Sequence, residues 1–255
     1  MDFSELEPRE VLHEEAIPEY ERGMDFFYLG QLVPLNANIY IIEQVLEFPF
    51  ELFVSPEDTI FFRLLVDNFY NTGLLTITRL ATDSGKDLYT LLQFKNWVAQ
   101  QVKDEFKEDF QKHLKQAKFD KKTQEMLEKA RGLRNTSVAH IKRDLVLGNI
   151  EQDRLNFVEL KALRDALNVL LKALSVNKER LMLPIQYHPG VVHPAGADSR
   201  SDIQRILDNI ARDSNMLNLP EKNPHHWAAF RKNLSEENLR TINKYRAKFG
   251  LPEVG

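Results

Sequence analysis

Apolar side chains recur every three or four residues over most of this chain, and this spacing constrains its fold more than any other feature. Residues three or four apart lie on the same face of an α-helix, so the pattern predicts helices, and strand-type alternation is scarce. The stretch at about 59–82 is apolar on most sides. A helix of that kind belongs at the centre of a bundle. The sequence therefore predicts an all-α fold.

Three further helices are predicted to pack against the first one. A turn signal of Asp, Ser and Gly ends the first helix, and the second follows at about 88–115. The third begins after Asp120, a residue type that caps helix N-termini. The fourth begins at Asn156, with Glu159 three residues further on, as in a capping box. Together the four helices form a predicted bundle at 59–179.

Both ends of the chain are predicted to be helical additions to this bundle. Residues 1–58 form an N-terminal helical extension, whose clearest helix lies at about 38–47. Residues 180–255 begin with a linker rich in Pro, Gly and His, which ends the bundle. Two amphipathic helices follow the linker, around 203–210 and 239–249. The chain is therefore expected to be a bundle with additional N- and C-terminal helices.

The composition excludes several kinds of site. The chain has no cysteine, which rules out disulfides and cysteine-ligated zinc. The adjacent His225 and His226 have no carboxylate at a metal-binding spacing, so we expect no metal site. No P-loop or dinucleotide fingerprint is present, and no cofactor is predicted. The acidic first residues and the lack of a long apolar run predict a cytoplasmic protein with no membrane contact.

Charge is distributed unevenly along the chain, although the net charge is only −4. Residues 112–143 hold ten Lys or Arg against three acidic residues, a local balance of +7. Residues 1–22 have the opposite character, with eight acidic residues against two basic ones. A basic stretch of this kind is typical of a phosphate-binding surface and equally of a solvated helix face. The best candidate site lies inside it.

That candidate is the segment GLRNTSVAHIKRD at 132–144, which holds Arg134, Asn135 and His140. These residue types suit RNA cleavage without a metal, in which the ribose 2′-hydroxyl attacks the adjacent phosphorus. The imidazole of a histidine titrates near neutral pH and can move the two protons that the reaction requires. The guanidinium of an arginine is always charged, and its planar fork matches phosphate oxygens.

Helix geometry sets a condition on this site. Six residues of straight α-helix turn Arg134 and His140 about 120° apart. Both side chains reach one phosphate only if Arg134 lies at a helix end, or if two copies of the motif face each other. Residues 135–137 are capping types, so we expect a helix to start near this point. Its N-terminus would favour a bound phosphate.

The segment resembles the signature of HEPN domains, in which an Arg is followed by a polar residue and, six positions after the Arg, by a His, between two long helices. The preceding segment LLTITRLATDSGKDLYTLL and the Ala–His pair at 139–140 are similar to the branch associated with phage abortive infection. The resemblance implies a homodimeric, metal-independent endoribonuclease acting as a toxin or phage-defence effector. It also implies that Arg134 binds the scissile phosphate, that His140 is the acid/base, and that Asn135, at the polar position after the Arg, belongs to the same catalytic set.

The resemblance also implies partners and supporting residues. RNA and a second copy of the chain are the expected partners, and a toxin would also have an antitoxin protein. Arg79 and Asp83, at the end of the first helix, either support the cleft or form a structural ion pair or cap. Four basic residues near the motif are predicted to bind RNA: Lys129, Arg131, Lys142 and Arg143.

Two alternatives remain open from the sequence. In the first, Arg134 forms a salt bridge and His140 fills a polar position in the core, so that the motif is structural. In the second, the chain is a catalytically inactive HEPN-like bundle that serves as a nucleotide- or protein-binding module. Under the first alternative the chain has no functional site at this motif. Under the second it has the HEPN-like fold but no catalytic activity.

Overall fold

The computed structural model describes residues 2–82, 89–138, 155–177 and 201–255. The α-helices of the first half are α1 (Pro8–Val11), α2 (Ile17–Phe27), α3 (Val33–Glu47), α4 (Phe50–Phe53), α5 (Ile60–Ala81), α6 (Leu91–Gln101) and α7 (Asp104–Gln116). Those of the second half are α8 (Lys121–Leu133), α9 (Phe157–Leu174), α10 (Asp202–Asp213), α11 (Asn215–Lys222), α12 (Pro224–Arg231) and α13 (Glu236–Lys248).

The described residues form no β-sheet; one isolated bridge joins Leu12 and Val102. Short 3₁₀ turns precede α1, α2 and α5, and π-helical turns continue α2 over Tyr28–Leu32 and α8 over Arg134–Val138. This confirms the predicted all-α fold. No helix within the described ranges is both long enough and apolar enough to cross a membrane.

The chain divides into two compact units. Unit 1 comprises Met1–Tyr40 and Asn68–Tyr187, and unit 2 comprises Ile41–Asp67 and His188–Gly255. The boundaries fall inside α3 and α5, so each unit is built from two separate stretches of sequence. The predicted division at residues 58 and 179 stays a prediction.

The core of unit 1 combines the first residues of the chain with the long central helices. Its buried apolar members include Phe3, Val11, Leu12, Met24, Phe27, Leu35, Ile39, Leu74, Ile77, Phe94, Val98, Phe110, Leu127, Leu163, Leu167 and Leu171. The acidic N-terminal stretch therefore carries apolar residues that belong to the bundle core. Burial of these side chains is the main force that holds the unit together.

Two buried polar contacts fix how the helices of unit 1 pair. The Tyr20 hydroxyl on α2 donates to the Leu174 carbonyl oxygen at 3.0 Å and accepts from the Val176 amide at 2.9 Å. The side-chain amides of Asn36 on α3 and Asn168 on α9 exchange hydrogen bonds of 2.9 and 3.3 Å. Because a buried polar group without a partner is costly, these pairs favour one alignment of α2 and α3 against α9.

The helix predicted at about 88–115 is two helices, α6 and α7, and the single-helix prediction is wrong. The connection between them is extended and pairs with the segment before α2. The Lys103 amide donates to the Val11 carbonyl oxygen at 2.9 Å, and the His13 amide donates to the Gln101 carbonyl oxygen at 3.0 Å. These contacts join residues some ninety positions apart, which local apolar spacing does not reveal.

The helix predicted at about 59–82 is present as α5, but only part of it is buried. Leu74, Ile77 and Leu80 lie in the core of unit 1. In contrast, Phe61 and Leu64 in its first turns are 63% and 64% exposed. The expectation that this helix is buried on most sides is therefore wrong for its N-terminal half.

Unit 2 has an apolar core of its own, formed by α4, by the residues before it and by α10–α13. Its buried members are Phe48, Leu52, Phe53, Leu207, Ala211, Leu217, Trp227, Leu239 and Ile242. The guanidinium of Arg246 is fully buried in this unit, where it pairs with Glu221 and donates to the Leu217 and Pro252 carbonyl oxygens.

Candidate functional site

The helix α8 carries the candidate site at its C-terminal end. The carboxylate of Asp120 caps its start by accepting from the Thr123 amide at 2.7 Å, as the sequence predicts. The helix ends at Leu133, and Arg134–Val138 continues it as a π-helical turn. Single π turns widen a helix locally and occur frequently at functional sites.

No new helix begins within Arg134–Val138, which continues α8, and a helix start just after Val138 lies outside the described residues. The Thr136 hydroxyl does not cap a new helix but donates backward to the Gly132 carbonyl oxygen at 2.8 Å and to the Leu133 carbonyl oxygen at 3.3 Å. A Thr within a helical turn commonly makes this backward bond. Arg134 follows the last residue of α8, and the geometric condition stays a prediction because His140 lies outside the described residues.

Arg134 is held by its neighbour in the chain. Its Nε donates to the Asn135 Oδ1 at 3.0 Å, and both side chains are half-buried. The bond runs through Nε and therefore restrains the plane of the guanidinium. Asn135, which the sequence analysis places in the catalytic set, thus helps to orient Arg134.

Several predicted residues lie outside the described part of the chain. They are His140, Asp83, Lys142 and Arg143. The approach of Arg134 to His140 and the pairing of Arg79 with Asp83 therefore stay predictions. Arg79 itself is exposed on α5, and its Nη2 donates to the side-chain oxygen of Gln31 in the π-helical turn that follows α2.

Lys129 and Arg131 lie on different faces of α8. The ammonium of Lys129 pairs with the Glu159 carboxylate on α9 at 3.2 Å, and both side chains are less than one third exposed. Arg131 is exposed and lies 4.0 Å from the Glu128 carboxylate on its own helix. Of the two predicted RNA-binding residues that the structure describes, Arg131 presents its charge to the surface, and Lys129 links two helices.

The Glu159 carboxylate has a second task beside its pair with Lys129. Its Oε2 accepts from the Asn156 amide at 2.8 Å, and its own amide donates to the Asn156 side chain at 2.9 Å, which completes the predicted capping box. The Asn156 amide and, after it, the Lys129 ammonium hold the pKa of Glu159 below its usual value. The sequence predicted the cap but gave no signal for the contact with α8, thirty residues away.

Tyr70 on α5 was not predicted from the sequence to matter for this region. Its hydroxyl donates to the Leu155 carbonyl oxygen, just before α9. Burial raises the pKa of Tyr70, and the nearby Glu159 charge adds to the effect. The N-terminus of α9 is therefore held from two sides, by α5 and by α8, beside the helix that carries Arg134.

In the described part of the site, the chemical group available is a cation that can bind an anionic ligand. The half-buried Arg134 guanidinium at a helix end, held through Nε, is suited to a phosphate. Across the described ranges, no cluster of three or more His, Asp or Glu side chains is arranged to hold a metal ion.

Comparison with known proteins places the site within a family. The family model HEPN_AbiU2, described as AbiU2, matches residues 39–178, which is more than half of the chain. The matched region runs from α3 to the residues after α9 and includes Arg134, Asn135 and His140. No curated protein matches the chain, and no solved structure does either.

Proposed function

This chain belongs to the HEPN_AbiU2 family, and on that basis we propose that it is a metal-independent endoribonuclease that acts in abortive infection, as a toxin or phage-defence effector. The observation that carries the proposal is Arg134 at the end of α8, half-buried and oriented by Asn135, within the part of the chain that the family model covers. The helical fold, which the family shares, is consistent with it.

The proposed reaction is attack of a ribose 2′-hydroxyl on the adjacent phosphorus. The new bond joins the 2′ oxygen to phosphorus, and the bond from phosphorus to the 5′ oxygen breaks. One general base takes the 2′-hydroxyl proton, and one general acid supplies a proton to the departing 5′ oxygen. The products are a 2′,3′-cyclic phosphate and a free 5′-hydroxyl. No metal or redox partner is needed to balance this step.

Arg134 and His140 divide the work in this proposal. The guanidinium of Arg134 binds the scissile phosphate and stabilises the negative charge that grows on it in the transition state. The imidazole of His140 moves protons, because its ordinary pKa of about 6.5 lets both of its forms exist near neutral pH. Asn135 positions Arg134 and does not touch the RNA.

We propose further that two copies of the chain form the active unit. Two motifs facing each other would supply both a base and an acid to one phosphodiester. The first turns of α5 expose three large apolar side chains, Ile60, Phe61 and Leu64. Such an exposed apolar surface is typical of an interaction site, which supports the proposal that a second copy covers it. An antitoxin partner stays a prediction from the toxin interpretation alone.

The test is an RNA cleavage assay in EDTA, with end-group analysis of the products. We expect cleavage that leaves 2′,3′-cyclic phosphate ends, and no cleavage of a 2′-O-methyl RNA, which lacks the attacking hydroxyl. His140→Ala is expected to lower the rate at least about 100-fold. Arg134→Lys is expected to lose most activity, since an ammonium keeps the charge but not the fork.

Matched controls separate chemistry from folding. His225→Ala changes an exposed histidine on α12, and Arg212→Ala changes an exposed arginine on α10 that pairs with Asp213. Both variants should cleave RNA like the wild type. Equal cleavage by His140→Ala would reject that residue as the acid/base. If the wild type cuts no RNA and His140→Ala only lowers the melting temperature, the chain is the inactive binding module instead.

A further inference from the structure

A large groove runs along unit 1 between α6, α7 and α8. Its volume is about 1120 Å³, which is ample for several ligand groups of nucleotide size. Its lining includes the side chains of Leu92, Leu114 and Leu127 and the half-buried ring of Phe119. The floor of the groove is thus apolar, with one aromatic ring open to a ligand.

Basic side chains surround this apolar floor. Five of them line the groove, namely Lys95 on α6, Lys115 and Lys118 at the end of α7, and Lys121 and Arg131 on α8. The acidic residues of the lining are Glu125 and Glu128, so the lining carries a net charge of +3. The groove is therefore cationic although the whole chain is acidic.

The two acidic residues neutralise only part of this charge. Glu125 lies 3.7 Å from Lys121, and Glu128 lies 4.0 Å from Arg131, each within the same helix. Within the described ranges, Lys95, Lys115 and Lys118 form no ion pair closer than 4 Å. These three ammonium groups are thus available to an anionic ligand.

The groove leads along α8 toward Arg134. The residues of α8 that line it, from Lys121 through Glu128 to Arg131, recur at helical spacing on one face. Arg134 follows Arg131 by one turn, about 4.5 Å along the axis and about 60° around it. Lys129, about 200° from Arg131, faces α9 instead. A ligand bound at Arg134 can therefore continue into the groove.

We propose that this groove binds single-stranded RNA next to the phosphate held by Arg134. The lysines neutralise successive phosphates, and a base stacks on Phe119. A cationic groove combined with an aromatic ring that a base can reach is how proteins hold single strands without reading their sequence. The inference rests on the proposed function for its choice of RNA. An acidic protein segment would also match the charge of the groove. However, it would explain neither the Phe119 ring in the lining nor the continuation of the groove along α8 toward Arg134.

The test is binding of a fluorescein-labelled 2′-O-methyl RNA to the full chain, measured by anisotropy over a range of salt concentrations. This probe cannot be cut, so binding is measured independently of catalysis. The triple variant Lys95→Ala/Lys115→Ala/Lys118→Ala is expected to bind roughly 10- to 100-fold more weakly at about 0.1 M salt. The slope of log affinity against log salt should fall by about 2, because each single-strand phosphate contact contributes about 0.7.

A matched control removes the same charge elsewhere. Lys222→Ala/Lys232→Ala/Lys244→Ala changes three exposed lysines of unit 2 and should bind like the wild type. Equal losses in the two triple variants would overturn the proposal, because net charge alone would then explain binding. Phe119→Leu keeps most of the volume of the ring and should weaken binding roughly fivefold or more without changing the salt slope. An unchanged affinity of that variant would contradict base stacking.

Two further outcomes separate the groove from the nuclease. If the wild type binds the probe through the three lysines but never cuts ordinary RNA, the groove stands and the proposed nuclease fails. If the wild type cuts RNA but the groove variants bind and cut normally, the groove proposal alone is overturned. Equal competition by poly-glutamate, together with indifference to Phe119→Leu, would identify an acidic protein as the ligand and reject RNA.

Discussion

Lys129 on α8 and Glu159 on α9 form an ion pair, with 3.2 Å between the Lys Nζ and the Glu Oε1. The same carboxylate closes the capping box at the start of α9 through the Asn156 amide. The Glu159 side chain therefore both caps the start of α9 and links α9 to α8, the helix that precedes Arg134. A change at Glu159 should affect the position of the candidate site as well as stability.

We expect Glu159→Ala to lower the free energy of unfolding by about 1–2 kcal/mol, because it removes the capping interaction and the ion pair. Glu159→Gln should cost about 0.5 kcal/mol, since the amide oxygen still accepts from the Asn156 amide and a partly exposed ion pair contributes little. Urea unfolding at neutral pH measures both values. Equal losses for the two variants would show that the carboxylate charge, and not the cap, dominates.

The same pair predicts a pH dependence. The pKa of Glu159 is lowered in the folded protein, first by the Asn156 amide and then by Lys129, so the charged form stabilises the fold. Its contribution is fully present above the unfolded pKa of about 4.3 and is lost as pH falls through the lower folded pKa. The stability difference between the wild type and Glu159→Gln should therefore shrink below about pH 4. A difference that grows in acid would contradict this assignment.

Asn135→Ala should lower the rate of RNA cleavage roughly tenfold at saturating RNA, because Arg134 loses the acceptor that fixes its Nε. The melting temperature should stay close to that of the wild type, since the lost bond is half-buried and joins adjacent residues. Thr136→Val is the matched control on the same turn, because its hydroxyl only donates backward to carbonyl oxygens of α8. Equal rate losses in both variants would indicate a general disturbance of the turn.

Gly23 and Gly132 should respond in opposite directions to substitution by alanine. A Cβ at Gly23 would lie 2.4 Å from the Phe94 ring, so Gly23→Ala should cost about 1–3 kcal/mol through overpacking. A Cβ at Gly132 meets no heavy atom within 4 Å in the described part of the chain. Gly132→Ala should therefore stabilise α8 by about 0.5–1 kcal/mol. Thermal unfolding of both variants tests this prediction. Melting temperatures that shift in the same direction would contradict the packing described around the two glycines.

Arg246→Met should destabilise unit 2, because the fully buried guanidinium is the donor to the Leu217 and Pro252 carbonyl oxygens. Glu221 is 48% exposed and stays hydrated without its partner, so the expected cost is that of the unsatisfied carbonyl oxygens, about 1–3 kcal/mol. Hydrogen exchange should show lost protection in α10–α13. Arg240→Met, at an exposed position on the same helix, is the control and should keep normal protection. Normal protection in Arg246→Met would show that the pair is dispensable.

The sequence was sufficient where local interactions decide the structure. The apolar spacing of α5, the Asp120 cap of α8 and the capping box at Asn156 all involve residues within a few positions of one another, and all three are present. It failed at the break between α6 and α7, because amides and carbonyls of a distant segment hold that connection extended. At residues 135–137 a π-helical turn continues α8, and the Thr136 hydroxyl donates backward to the Gly132 carbonyl oxygen, which the residue types alone did not indicate.

The sequence by itself determined the all-α class, the helix caps and the family to which the motif belongs, because helical spacing and short motifs are properties of neighbouring residues. The tertiary structure alone decided that Lys129 pairs with α9 while Arg131 faces the groove, since α8 turns its side chains in different directions. It also decided that lysines from three helices surround one apolar floor. Such a site exists only after distant helices pack together, so no local pattern records it.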